Sequence, residues 1–117
     1  MADGFSRATG LPGVAYVITG PGLCNIMTPL GQAFSDSVPI LVISSALEED
    51  SLEPGRGRLH EMKDQRLAAG TVCDWSEIVK KEGDAYELID RAFYEFQNMR
   101  KRPKHIQIPI SLSLIHI

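Results

Sequence analysis

The sequence predicts an α/β domain with a doubly wound, mostly parallel sheet, and three observations carry that reading. Gly13-Val14-Ala15-Tyr16-Val17-Ile18 and Ile40-Leu41-Val42-Ile43 are short apolar runs rich in β-branched residues, the pattern of strands buried on both faces. Between them, Leu23, Ile26, Met27, Leu30, Ala33 and Phe34 recur every three or four residues, which marks a helix with one buried face. His105-Ile106-Gln107-Ile108-Pro109-Ile110 alternates and supplies a final strand, with Pro109 near its end. Strand, helix and strand in that order close a right-handed parallel unit.

The elements follow in order. Residues 1 to 8 read as the tail of a helix ended by Gly10, which suits a left-handed cap, with Pro12 stopping any continuation. A helix that short with no strand before it is marginal alone, so the natural N-terminus is expected upstream. The second helix starts either at Thr28-Pro29, as a cap and first helical residue, or near Gly22 with a kink at Pro29. Ser37-Val38-Pro39 breaks it before the second strand. From Ala46 to Arg58 the chain is polar, a long loop of the kind that often carries function. A short helix is expected within residues 59 to 69 and a short strand within 76 to 80. Asp84 then caps a helix running to about Arg100, with Ala85, Leu88, Ile89, Ala92, Phe93, Phe96 and Met99 facing inward.

Composition narrows the function. At 117 residues the chain is long enough for one domain with its own core. The net charge is −3, and the one basic cluster, Arg100-Lys101-Arg102 with Lys104, lies at a helix end where cations complement the dipole, so no nucleic-acid partner is expected. Cys24 and Cys73 lack CxxC or zinc spacing and read as reduced thiols, with no metal site. No leader or run of about 20 apolar residues stands out, and a cytoplasmic protein with no membrane partner is expected.

The first strand hands over to the following helix through Thr19-Gly20-Pro21-Gly22, with Asn25 shortly after. Open α/β sheets bind ligands at such junctions. Glycines at 20 and 22 would let a ligand approach the backbone, and Pro21 presents an apolar ring without an amide donor. On physical grounds alone a helix N-terminus favours a phosphate.

Five separated segments point further. Ala2-Asp3-Gly4-Phe5-Ser6-Arg7-Ala8-Thr9-Gly10, Pro12-Gly13-Val14, Thr19-Gly20-Pro21-Gly22 with Asn25, Ala33-Phe34-Ser35-Asp36-Ser37-Val38-Pro39, and His105-Ile106-Gln107-Ile108-Pro109 together resemble the N-terminal, pyrimidine-binding domain of thiamine-diphosphate-dependent enzymes of the acetolactate synthase type. The likeness covers residues 1 to about 110. It implies a 2-oxo acid enzyme whose thiamine diphosphate bridges two subunits of a homodimer or homotetramer. This domain would hold the aminopyrimidine, and another domain the diphosphate and Mg²⁺; FAD, used by some acetolactate synthases, is left open. The resemblance implies that Gly20, Pro21 and Gly22 pack against the aminopyrimidine and that Asn25 fixes the loop or contacts the cofactor. The glutamate that in the family contacts the pyrimidine would lie upstream of Met1. Residues 111 to 117 depart from the family pattern and are expected to be a foreign tail, making the chain a partial domain that is inactive alone.

Arg56-Gly57-Arg58-Leu59-His60-Glu61 followed by Asp64-Gln65-Arg66 resembles the branch that includes 5-guanidino-2-oxopentanoate decarboxylase. Acetolactate synthases, the alternative, commonly carry glutamine where His60 falls. His60 is the catalytic candidate, a histidine able to act as acid or base near neutral pH; its other reading is a surface-loop residue. Arg56 and Arg58 either pair with a substrate carboxylate or are surface charges. The acidic residues Glu48, Glu49, Asp50 and Glu53 are assigned no role. A binding module or a non-catalytic interaction domain is the reading from another class.

Overall fold

β1 (Gly13–Val17), β2 (Ile40–Ala46), β3 (Trp75–Ile78) and β4 (Lys104–Pro109) form one sheet in the order β1-β2-β4-β3, parallel throughout. The structure is a computed structural model and describes residues 1–47 and 57–114. Glu48, Glu49, Asp50, Glu53 and Arg56 lie outside the described residues. The helices are α1 (Ala2–Thr9), α2 (Pro21–Asp36), α3 (Gln65–Gly70), α4 (Glu82–Asn98) and α5 (Ile110–Leu114).

The period-two pleat sorts β2 into two cores. Ile40 and Val42 pack with Leu23, Leu30, Ala33 and Ala69 from α2 and α3. Leu41 faces the other way, with Ile106, Trp75, Val79, Ala92 and Phe96, under α4. The step from β1 to β2 and the step from β3 back to β4 run in opposite directions along the sheet. Right-handed crossovers therefore place α2 and α4 on opposite faces, which is the doubly wound arrangement expected. β1 forms an edge, and Val14 and Tyr16 stay exposed on its α4-side face, with Ile18 exposed just beyond the strand.

Local chemistry explains most boundaries. Gly10 closes α1 at φ 75, and the Ser6 hydroxyl donates to the Pro39 carbonyl (3.1 Å). α2 is one continuous helix with Pro21 in its first turn and Pro29 inside it, so of the two starts considered the earlier one holds. Asp84 serves α4 from within the first turn: its Oδ2 accepts the backbone N–H groups of Lys80 (3.2 Å) and Lys81 (3.1 Å). The inward stripe ends sooner than expected. Met99 follows the last helical residue in extended backbone (φ −131) and is exposed, and Phe93 sits at the rim.

Several charges do structural work that composition did not reveal. Lys104 is fully buried, its ammonium 3.1 Å from Asp74 and 5.2 Å from the Phe96 ring centroid. Buried Glu95 accepts from the Trp75 indole (3.2 Å) and from Arg91 (2.9 Å). Arg100 and Arg102 lie just past the end of α4; Arg100 donates to the Ser37 hydroxyl (2.7 Å) and Arg102 stacks on Phe34 (4.1 Å). Both cysteines are free, Cys24 exposed and Cys73 buried. No described helix is long and apolar enough to cross a membrane.

Candidate functional site

The site lies at the carboxyl ends of the strands, where exits diverge. β2 leaves towards α3 on one face, whereas β4 continues into α5, whose Leu112 packs with the opposite core. Such a divergence opens a crevice. Here the crevice is filled by polar side chains. Gln65, the first residue of α3, is 7% exposed and makes four hydrogen bonds. Its Oε1 accepts the Gly20 N–H (2.8 Å), and the two N–H groups of its Nε2 are shared among the Ser45 carbonyl (2.9 Å), the Ser44 hydroxyl (3.1 Å) and Gln107 Oε1 (3.3 Å).

The network continues inward to His105. Its Nε2 shares a hydrogen bond with Ser44 Oγ (2.7 Å) and its Nδ1 with Ser76 Oγ (2.6 Å). The ring is wholly buried between two uncharged hydroxyls. Burial pushes its pKa down to about 4, so the imidazole is neutral and structural. The strand alternation thus places His105 and Gln107 not towards water but under α3. Every buried polar side-chain atom among the described residues has a partner.

The β1–α2 turn is shaped by its own chain. Gly20 adopts φ 70, ψ −108, a conformation open to glycine alone. A Cβ there would collide with the His60 carbonyl oxygen, and one on Gly22 would lie 2.8 Å from Ile18 Cγ2. At each of these two glycines the Cβ direction is therefore occupied by the protein itself. His60 is half-buried, stands at φ 62, and rests its backbone on Gly20. Sequence positions 20 and 60 are thereby brought together. Asn25 is exposed on α2, and its side chain makes no hydrogen bond among the described residues. Arg58 is exposed, with its backbone N–H donated to Glu61 (2.8 Å).

The turn's amides face inward. Thr19 N–H donates to Ser45 Oγ (3.0 Å), Gly20 N–H donates to Gln65, and Pro21 has no N–H. Thr19 and Gly20 therefore present no amide outward and Pro21 has none, so the turn offers no outward donor before Gly22 of α2.

Residues 1–67 match the family model described as "Thiamine pyrophosphate enzyme, N-terminal TPP binding domain". The chain belongs to this family. Among curated relatives of the thiamine pyrophosphate enzymes, "Probable 2-ketoarginine decarboxylase AruI" of Pseudomonas aeruginosa is 47% identical over 112 residues, covering 96% of this chain and 20% of the relative. The acetolactate synthase large subunit of Haemophilus influenzae is 35% identical over 109 residues, covering 93% and 18%. The chain thus spans about a fifth of the length of these relatives. An X-ray structure of a "putative thiamin diphosphate-dependent enzyme" from Mycobacterium smegmatis superposes with a TM-score of 0.79 at 22% identity, over 94% of this chain and 21% of that one. That likeness confirms the fold.

Pro21 and Asn25 are exposed beside the turn, while the Thr19 and Gly20 amides are turned inward. Among the described residues no cluster of His, Cys, Asp and Glu could hold a metal ion. What sequence reasoning missed is the support: Gln65, Ser44, Ser45, Gln107 and the Asp64 cap, whose Oδ1 accepts the Leu67 N–H (2.9 Å). The available signal was a set of polar residues at alternate positions in strands too apolar to have a wet face.

Proposed function

We propose that this domain binds the aminopyrimidine of thiamine diphosphate within a decarboxylase of 5-guanidino-2-oxopentanoate. The observation that carries the reading is the β1–α2 turn, whose Thr19 and Gly20 amides point inward and whose Pro21 offers none. The 47% identity to a relative named as a 2-ketoarginine decarboxylase supports the substrate. When bound, the cofactor supplies a nucleophilic carbon and an electron sink for loss of CO₂.

Within that reading, Pro21 and Gly22 give the ring an apolar floor and Asn25 offers its amide to the polar ring edge. His60, whose backbone is seated against Gly20, would hold and release a proton at its imidazole. Mg²⁺ and the diphosphate are held by another domain, and a second subunit completes the site in a cytoplasmic homo-oligomer. Exposed Val14, Tyr16 and Ile18 offer apolar surface for such packing.

The test is CO₂ release by the complete protein with thiamine diphosphate and Mg²⁺. The guanidino acid is expected to be consumed in preference to pyruvate. Conversion of pyruvate to acetolactate instead, with or without FAD, would replace this reading by an acetolactate synthase. The His60→Asn variant keeps a residue tolerant of left-handed backbone. It is expected to lower kcat by about 10²-fold with cofactor affinity within about twofold; unchanged turnover would remove His60 from the chemistry.

A further inference from the structure

We propose that Gln65 is the positioning residue that sets the shape of the cofactor-binding turn, a role that rests on the reading above. Its amide joins the ends of three strands. It touches Gly20 after β1, Ser44 and Ser45 on β2, and Gln107 on β4, residues between 20 and 45 positions away in sequence.

The amide's orientation follows from its partners. The Gly20 N–H is a donor only, and the Ser45 carbonyl an acceptor only, so Oε1 must face the first and Nε2 the second. A flipped amide would set N–H against N–H and oxygen against oxygen. The site therefore needs a neutral side chain that accepts at one end and donates at the other. Leucine can do neither. A carboxylate accepts from Gly20 but repels the Ser45 carbonyl, whereas a protonated carboxyl restores both bonds.

Gly20 is held from two sides by one short segment. Gln65 takes its N–H from within, and the His60 backbone covers its α-carbon. Asp64 caps α3 through the Leu67 N–H and so fixes where the Gln65 side chain starts. With Gln65 in place the Gly20 N–H is turned into the crevice and Pro21 is displayed outward. Without it the turn is free to sample other shapes, and the fraction competent to take the ring falls; apparent affinity falls by the same factor.

The test compares Gln65→Leu, Gln65→Glu and Ser76→Ala in the complete protein, reading the Kd of thiamine diphosphate by calorimetry beside kcat at saturating cofactor. Ser76 bonds His105 in the same network without touching the turn, so its loss reports general damage. Gln65→Leu is expected to raise Kd on the order of tenfold or more, with kcat recovered at saturation and Ser76→Ala near wild type. Relative to wild type at each pH, Gln65→Glu is expected to bind weakly at pH 8 and to recover as acid protonates its buried carboxyl. If Gln65→Leu fails to fold, this pH-dependent rescue decides the matter. Equal Kd changes in Gln65→Leu and Ser76→Ala, or a Gln65→Glu affinity that tracks wild type at every pH, would overturn the positioning role alone. No cofactor binding by the unmodified protein would overturn the functional reading and this role with it.

Discussion

Acidification should unlock the sheet through His105. The ring is fully buried between two serine hydroxyls, and its pKa falls from 6.5 to about 4. The unfolded chain therefore takes up a proton at higher pH than the folded one. The stabilisation is fully present above pH 6.5 and is lost as the pH falls towards 4, below which the contribution is flat. The gap corresponds to roughly 3 kcal/mol, a sizeable part of a domain's total stability. Urea unfolding followed through Trp75, the chain's one tryptophan, would be measured at pH 7, 5.5 and 4 in wild type and in His105→Gln. Other carboxylates add their own pH dependence, so the difference between the two proteins isolates the histidine. The variant should be less stable at pH 7 and should lose about 3 kcal/mol less than wild type on going to pH 4. Parallel pH profiles would refute a neutral, buried His105.

Other expectations follow from single contacts. Gly10 and Gly20 both have positive φ, but a Cβ at Gly10 meets nothing within 4 Å whereas one at Gly20 meets the His60 carbonyl. Gly10→Ala should cost about 1 kcal/mol and Gly20→Ala more than about 2 kcal/mol by urea denaturation; equal costs would show that His60 does not cover the turn. Cys24 is exposed, while burial pushes the Cys73 thiol up to about 12. A maleimide should therefore label Cys24 in the native protein and Cys73 only on unfolding, as read by intact mass.

The sheet was legible because residues 13 to 18 and 40 to 43 are short apolar runs and the helix between them repeats at helical spacing. The sequence left the start of α2 open, since Thr28-Pro29 carries its own start signal; the helix instead accommodates Pro29 within one continuous run from Pro21. Of the site, Gly20 and Pro21 were visible as a turn at a strand end, and His60 as part of a motif. Their closeness was not, because residues 40 positions apart meet only through the β2–α3 crossover. Nor was the close approach of His60 and Ile18 to the two glycines. Gln65 was hidden for a further reason. Its worth lies in accepting and donating at once between strand ends that only the folded sheet assembles. Likewise Glu95 and Lys104 look like surface charges until Trp75, Asp74 and Phe96 close around them.

The β1–α2 turn is proposed to receive an uncharged ring rather than an anion. A structure of the complete protein with thiamine diphosphate tests it directly. The expected result is the aminopyrimidine against Pro21 and Gly22, with the Gly20 N–H still bonded to Gln65 and the diphosphate held elsewhere. A diphosphate seated on the amides at the start of α2 would contradict it.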